Sequence, residues 1–101
     1  MRKIVLCCAA GMSTSLVVQK MEKVAAEQGY ECSIVAVPYS ANNKTIAEAD
    51  VILLGPQVRF NLKPCREKYP NIPSDVIDMM AYGMCKGDVI LKQAKDLLGD
   101  E

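Results

Sequence analysis

Short apolar runs alternate along this chain with longer amphipathic stretches. The run Ile4 to Cys7 is a short apolar segment, the pattern typical of a strand covered on both faces. A second strand is predicted from Cys32 to Val37, before Pro38, and a third from Val51 to Leu54, before Gly55-Pro56. A weaker fourth strand is predicted at Val76 and Ile77. Strands that alternate with helix-length segments predict a parallel sheet with helices on both faces.

Helices are predicted between the strands. The first contains apolar residues that recur as one helical stripe, Leu16, Val17, Met21, Val24 and Ala25. The predicted helices cover residues 13–28, 44–49, 58–69 and 86–98, with Gly29 and Gly99 just beyond the ends of the first and the last. Pro64 falls inside the third segment, so we expect a kink or a new helical start there, with Pro64 in its first turn.

Composition limits the class of protein. The chain has 101 residues, half of them hydrophobic, which predicts one domain with its own core. Twelve basic residues balance twelve acidic ones, so no overall field attracts nucleic acid or acidic lipid. No segment approaches the roughly 20 apolar residues that span a bilayer, and the N-terminus does not resemble a signal peptide. A soluble cytoplasmic protein is expected, without nucleic-acid binding or membrane insertion.

The cysteine pattern predicts neither a disulfide framework nor a zinc site. Five cysteines form no Cys-x-x-Cys pair, and the chain has no histidine to complete a metal shell. The missing histidine also excludes Cys-His and Ser-His catalytic pairs, so a nucleophilic cysteine needs another source of activation. Cys32, Cys65 and Cys85 are interpreted as structural.

One cysteine stands in a distinctive loop. Ligands of open parallel sheets lie beyond the carboxyl ends of the strands, here the loops after Cys7, Val37, Leu54 and Ile77. Cys8 begins the first of these loops, which leads into the first helix. If Ser13 caps that helix, its first backbone N–H groups are free to bind an anion and to favour a thiolate. Gly11, small alanines, three hydroxyl groups and the absence of acidic residues before Glu22 suit a dianion.

The residues alone leave two interpretations open: a phosphoryl-accepting Cys8, or a buried strand-end cysteine beside an ordinary capped helix. A cysteine-dependent phosphatase needs Cys, five residues and Arg, but that count from Cys8 reaches Thr14. A nucleotide P-loop needs Gly-Lys-Ser/Thr and a dinucleotide fold needs Gly-x-Gly-x-x-Gly, and neither occurs at this turn.

A family resemblance favours the phosphoryl acceptor. The segment Cys8 to Ser15, together with Leu53 to Gln57, Ile77-Asp78 and Tyr82-Gly83, makes the chain resemble enzyme IIB of the lactose/cellobiose family of the bacterial phosphoenolpyruvate-dependent sugar phosphotransferase system. The resemblance implies a single IIB domain over residues 1–101. It also implies a four-stranded parallel sheet of order 2-1-3-4, covered by helices on both faces, as in the low-molecular-weight tyrosine phosphatases.

The resemblance further implies a phosphoryl carrier without cofactors or metals. Cys8 would accept phosphate from a phosphohistidine of enzyme IIA and donate it to a sugar at the membrane enzyme IIC. The phosphate cradle would be Ala9, Ala10, Gly11, Met12, Ser13, Thr14 and Ser15. Flanking or docking residues would be Gly55, Pro56, Gln57, Asp78 and Tyr82. Brief encounters in such a relay predict a monomer with small docking surfaces.

Each flanking residue also has a structural interpretation. Gly55-Pro56 suits a strand-ending turn, Gln57 a solvated helix start, Asp78 a tether for a loop, and Tyr82 an aromatic side chain at the edge of the core. Met79, Met80 and Met84 either pack or extend a docking surface, and Met12 is predicted to contact partners. The competing functions are a cysteine redox sensor and a module that binds an anion without covalent chemistry.

Overall fold

The computed structural model of the chain describes residues 2–8, 14–40 and 43–100. The described residues form four strands, which are β1 (Arg2–Cys8), β2 (Cys32–Pro38), β3 (Val51–Leu54) and β4 (Ser74–Val76). The α-helices are α1 (Thr14–Gln28), α2 (Lys44–Ala47), α3 (Leu62–Lys68), α4 (Met79–Gly83) and α5 (Gly87–Leu98), and a 3₁₀ helix, Pro56–Asn61, leads directly into α3. Among these helices, none combines the length and the apolar character that crossing a membrane requires.

The four strands form one parallel sheet of order β2-β1-β3-β4, which confirms the predicted fold class and strand order. The register aligns the strand ends: Cys8 lies opposite Pro38, and Cys7 opposite Leu54. The ladder continues past β3 and β4, because the Gly55 N–H donates to the Cys7 carbonyl at 2.7 Å and the Ile77 N–H donates to the Leu54 carbonyl at 2.8 Å. The carboxyl ends of the strands therefore meet at one edge of the sheet.

Helices cover both sides of the sheet. On the α1/α5 side, Ile4, Leu6 and Leu53 pack with Met21 and Leu91. On the α2/α3 side, the alternate strand residues Val5, Cys7, Ile52 and Leu54 pack with Ile46 and Cys65. Because successive residues of a strand point to opposite sides, burial on both faces explains the apolar runs of β1 and β3. The edge strand β2 is buried only at Ile34, and its Val35 side chain is exposed.

Several predicted boundaries differ from the structure. β4 lies two residues earlier than predicted, because Asp78 caps a helix and ends the extended segment. The short helix predicted to reach Ala49 ends at Ala47, since Asp50 must reach β1, where its carboxylate accepts from the Lys3 N–H at 2.7 Å. The third predicted helix is divided between the 3₁₀ helix and α3, and Pro64 lies in the first turn of α3, as expected for a new helical start.

The apolar stripe of α1 is correct except at its first member. Val17, Met21 and Ala25 are buried and Val24 is half-buried, whereas the Leu16 side chain is 47% exposed. Leu16 precedes Val17 by one residue, about 100° around the helix, so it does not lie on the core-facing side. Both predicted terminating glycines have positive φ angles, 67° at Gly29 and 75° at Gly99.

Helices α1 and α5 approach most closely at Gly87. Gly87 is buried at the first position of α5 and faces the backbone of α1 at Lys20. A Cβ atom at Gly87 would lie 2.5 Å from the Lys20 carbonyl carbon and 2.6 Å from the Met21 nitrogen. These contacts are with backbone rather than with a movable side chain, so only glycine allows this helix approach.

Both described ends of the chain are joined at the amino end of the sheet. The Arg2 guanidinium donates two hydrogen bonds to the Asp100 carboxylate, each of 3.0 Å, and the Tyr30 hydroxyl donates to the same carboxylate at 2.6 Å. The Lys95 ammonium lies 4.8 Å from the centre of the Tyr30 ring. The hydrogen bonds from Arg2, followed by those from Tyr30, hold the pKa of Asp100 below its ordinary value of 3.8.

We predict that this terminal cluster makes the free energy of unfolding decrease at acidic pH. The depressed pKa of Asp100 means that the unfolded chain binds the proton more readily, so the stabilisation is present above pH 3.8 and is lost as the pH falls through the folded value. Urea unfolding between pH 7 and pH 2.5 should show a shallower acid limb for Asp100→Asn than for the wild type. The matched control is Asp96→Asn, whose carboxylate is on α5 and pairs with Lys92. An acid limb equally steep in Asp100→Asn and the wild type would contradict the prediction.

Candidate functional site

Cys8 lies where the sequence predicts the functional thiol, at the carboxyl end of β1. Its side chain is 8% exposed, and its Sγ atom donates a weak hydrogen bond to the Val37 carbonyl at 3.8 Å. Since Ile4 and Leu6 point to the α1/α5 side, the strand alternation places Cys8 on that side as well. The thiol therefore lies at the sheet edge, on the side from which α1 starts.

Cys7 and Cys8 have different environments although they are adjacent. Cys7 is completely buried on the α2/α3 side, where it packs with Cys65. Burial, followed by the neighbouring thiols Cys65 and Cys8, raises the pKa of Cys7 to about 12. Cys7 is thus kept as a neutral thiol at neutral pH and belongs to the core, as the sequence predicts.

The predicted phosphate cradle lies largely outside the described residues. This holds for Ala9, Ala10, Gly11, Met12 and Ser13, including the predicted cap and the predicted partner contact. The described part begins with the backbone of Thr14 at the start of α1 and continues with Ser15, which is exposed. The first turn of α1 contains no acidic residue, so its free N–H groups meet no competing carboxylate there.

Gly55, Pro56 and Gln57 follow β3 at the same sheet edge. Gly55 is buried and Pro56 is the first residue of the 3₁₀ helix, which agrees with a strand-ending turn. A Cβ atom at Gly55 would lie 2.7 Å from the Gln57 Oε1 atom and 3.7 Å from the Tyr82 Cε1 atom. Gln57 and Tyr82 therefore both lie against Gly55 at the end of β3, so the structure brings three predicted flanking residues together.

Asp78 caps α4 and Tyr82 lies within it; the sequence does not predict this helix. The Asp78 carboxylate accepts a hydrogen bond from the Ala81 N–H at 3.0 Å and caps this helix, which supports its interpretation as a tether. Tyr82 is half-buried and packs against the core of the α1/α5 side. Asp78 thus fixes the first turn of a helix that places Tyr82 near the strand ends.

Large apolar side chains are exposed on the elements that follow the strand ends. Phe60 of the 3₁₀ helix is 73% exposed, and Met80 of α4 is 72% exposed. We call the exposed group the apolar rim; it consists of Leu16, Phe60, Met79, Met80 and Met84. The sequence pattern singles out the three methionines but not Phe60, although the only phenylalanine of the chain stands between Arg59 and Asn61. Three of the five, Met79, Met80 and Met84, lie within six residues of one another in the chain, and such clustering of exposed apolar side chains indicates an interaction surface.

The other cysteines have structural environments. Cys65 is fully buried, and burial raises its pKa. Cys32 is half-buried, and its pKa is raised by burial and then by the nearby Glu22. Cys85 is half-buried in the turn between α4 and α5 with a φ angle of 53°. Within residues 2–8, 14–40 and 43–100, no group of three or more acidic or cysteine side chains is arranged to hold a metal ion.

Fold and site together define a small parallel α/β protein with a cysteine thiol at the carboxyl end of its first strand. Comparison with known proteins gives the family. The family described as "PTS system, Lactose/Cellobiose specific IIB subunit", where PTS denotes the phosphotransferase system, matches residues 3–93. The chain belongs to this family of sugar phosphotransferase components, which confirms the resemblance seen in the sequence.

Individual relatives span nearly the whole chain. The oligo-beta-mannoside-specific EIIB component of Bacillus subtilis is 44% identical, with 97% of each chain covered. The galactose-specific EIIB component of Lactococcus lactis is also 44% identical, with 94% of each chain covered. The solution structure of the cellobiose-specific IIB component of Borrelia burgdorferi superposes with a TM-score of 0.79 at 36% identity, covering 97% of this chain and 92% of that one.

Proposed function

We propose that this protein, as one IIB domain over residues 1–101, is a cytoplasmic phosphoryl carrier that uses Cys8 as its acceptor. The observation that carries the proposal is the position of Cys8 at the carboxyl edge of the sheet, beside the start of α1, in a chain of the IIB family. The donor would be a phosphohistidine of enzyme IIA, and the acceptor would be a sugar at the membrane enzyme IIC. Thr14 and Ser15, with Ala9 to Ser13, would bind the phosphoryl group through backbone N–H groups.

The transfer itself requires only one nucleophile on this chain. The Cys8 thiol gives up its proton, and the thiolate sulfur attacks the phosphorus while the phosphorus–nitrogen bond breaks. The departing imidazole keeps the electron pair and takes up one proton, so it leaves as neutral histidine. In the second step a sugar hydroxyl attacks the phosphorus, its proton is released, and the thiolate leaves. Placement in line and neutralisation of charge supply most of the catalysis in such transfers. This accounts for a functional site in a chain that contains no histidine.

The apolar rim supports brief docking of two successive partners at this edge. Methionine side chains are flexible and adapt to different partner surfaces, and α4 exposes Met79, Met80 and Met84 close to the strand ends. The chain carries no net charge, so no long-range repulsion opposes either encounter. A monomer that exposes this surface suits a relay in which IIA must leave before IIC binds.

The proposal assigns a class of transported sugar rather than one particular sugar. Two relatives of equal identity carry different specificities in their names, an oligo-beta-mannoside and galactose. We propose a beta-linked sugar of the cellobiose, chitobiose or lactose type, with the choice made by enzyme IIC.

Intact-mass spectrometry under non-acidic conditions tests the proposal. The protein is incubated with phosphoenolpyruvate, the general phosphotransferase proteins and a purified IIA protein, and the control omits IIA. We expect one added phosphate that depends on IIA. Tryptic mapping should locate it in the peptide 4–20, which holds Cys7 and Cys8 apart from the other cysteines.

Two other outcomes separate the competing functions. Saturable phosphate binding without covalent addition, with each of several IIA proteins, would favour the anion-binding module. Reversible oxidation of Cys8 as its only reaction would favour the redox sensor. The structure weighs against a Cys7–Cys8 redox pair, because the two side chains point to opposite sides of β1.

A further inference from the structure

Two buried hydroxyl groups lack a strong hydrogen-bond partner in the described part of the chain. They are the hydroxyl of Tyr82 and the Oγ atom of Ser74, whose neighbour is the thiol of Cys65, a weak hydrogen-bonding group. A buried polar group without a strong partner destabilises a protein, so each such group in a folded protein needs an explanation. The two hydroxyls occupy different parts of the fold, which allows one to serve as a control for the other.

Tyr82 lies at the same sheet edge as the proposed acceptor. The register that pairs Cys7 with Leu54 places Gly55 beside Cys8, one strand spacing of about 4.8 Å away. The Tyr82 ring lies beside Gly55, with its Cε1 atom 3.7 Å from the position that a Cβ atom would take there. Ser74, in contrast, begins β4 and lies opposite Ile52, away from the carboxyl edge.

Tyr82 also lies on the same side of the sheet as Cys8. Its partly buried ring packs against the cluster that contains Ile4, Leu6 and Leu53, which defines the α1/α5 side. Alternation along β1 places Cys8 on that side too. The tyrosine ring therefore lies beside Gly55, and Cys8 lies on the same side one strand away, with its Sγ atom 3.8 Å from the Val37 carbonyl of β2.

The backbone holds Tyr82 in this position. Ile77 is hydrogen-bonded to the end of β3, and the Asp78 carboxylate caps the next turn through the Ala81 N–H. The Tyr82 N–H donates to the Asp78 carbonyl at 2.9 Å. A short chain of hydrogen bonds thus connects Tyr82 to the strand ends, so its backbone is held in place before any ligand arrives.

We propose that the Tyr82 hydroxyl donates a hydrogen bond to the phosphoryl group carried on Cys8. This inference rests on the proposed function and adds a side-chain ligand for the phosphoryl group to the backbone cradle. A phosphoryl group offers three acceptor oxygens, and a phenol donates to them without adding a positive charge. The unpaired hydroxyl is then explained as a donor whose partner is present only in the phosphorylated protein.

The test is the equilibrium of phosphoryl exchange between IIA and this protein, measured as the ratio of phosphorylated to free forms of both proteins. A hydrogen bond to a charged group is strong enough that Tyr82→Phe should lower this equilibrium constant about tenfold. The unphosphorylated variant should unfold at the same or a higher temperature than the wild type, because it lacks an unpaired hydroxyl. Ser74→Ala removes the other buried hydroxyl and should leave the exchange equilibrium unchanged.

The outcomes distinguish this inference from the proposed function. If the wild type accepts no phosphate, the carrier proposal fails and Tyr82 has no ligand to bind. If the wild type accepts phosphate but Tyr82→Phe shifts the equilibrium by less than twofold, only the role of Tyr82 is overturned. An equal shift in Ser74→Ala would also overturn it, because loss of any buried hydroxyl would then have the same effect.

Discussion

Replacement of Cys8 by serine should abolish phosphoryl acceptance from IIA completely, while the protein stays folded. A serine hydroxyl is a much weaker nucleophile than a thiolate at neutral pH, and the chain contains no histidine that could activate it. The side chain lies at the sheet edge rather than in the centre of either core cluster, so the substitution disturbs little packing. Mass spectrometry after incubation with phosphorylated IIA measures the loss.

The matched control is Cys7→Ala, which should accept phosphate at a rate within a few-fold of the wild type. Cys7 is fully buried on the other side of β1, and its pKa of about 12 leaves it neutral. Alanine avoids burying a new hydroxyl there. If Cys8→Ser were phosphorylated and Cys7→Ala were not, the acceptor would be Cys7 and the proposed site would be wrong.

The second large effect is expected on stability. Gly87→Ala should lower the free energy of unfolding by about 3 kcal/mol, because the new methyl group would overlap the α1 backbone at Lys20. For a domain of this size the loss corresponds to roughly 15 °C in the melting temperature. Chemical denaturation should show a lower midpoint, and helices α1 and α5 must separate slightly to accept the side chain.

Gly83→Ala is the control for this prediction. Gly83 ends α4 and is exposed, and a Cβ atom added there would have no neighbouring atom within 4 Å. Alanine at this position should be neutral or should stabilise the protein by about 0.5 kcal/mol, since it reduces the freedom of the unfolded chain. If the denaturation midpoints of Gly87→Ala and Gly83→Ala agreed within error, the prediction would be wrong, because α1 and α5 would then adjust freely at Gly87.

Much of the fold could be predicted from the sequence because strands that are buried on both faces appear in it as apolar runs. The apolar runs around Val5 and Ile52 coincide with β1 and β3, since every position of a covered strand favours an apolar residue. The segment Cys32 to Val37 coincides with β2, which lies at the edge of the sheet. Gly29 and Gly99 mark helix ends because their positive φ angles suit glycine. For the candidate site, the loop that follows Cys8 allowed this residue to be predicted at the end of a strand.

The remaining features depend on contacts between distant segments. Helix α4 has five residues, too few for a helical periodicity, and it depends on the Asp78 cap and on packing of Ala81. Leu16 and Phe60 are large apolar residues of the kind found in cores, and their exposure is seen only in the assembled fold. The approach of Tyr82 to Gly55 joins residues of different elements, which no local pattern contains.

The hydrogen bonds between Arg2 and Asp100 have a practical consequence for attaching this domain to something else. Strand β1 runs from Arg2 to Cys8, a length of roughly 20 Å, so both described ends lie on the opposite side of the molecule from the thiol. A linker to another domain, a fluorescent label or a surface anchor could be joined beyond either end without obstructing the edge that we propose as the docking site of IIA and IIC. The same arrangement would let the domain be inserted as a unit into a loop of a larger protein, since its two ends leave side by side.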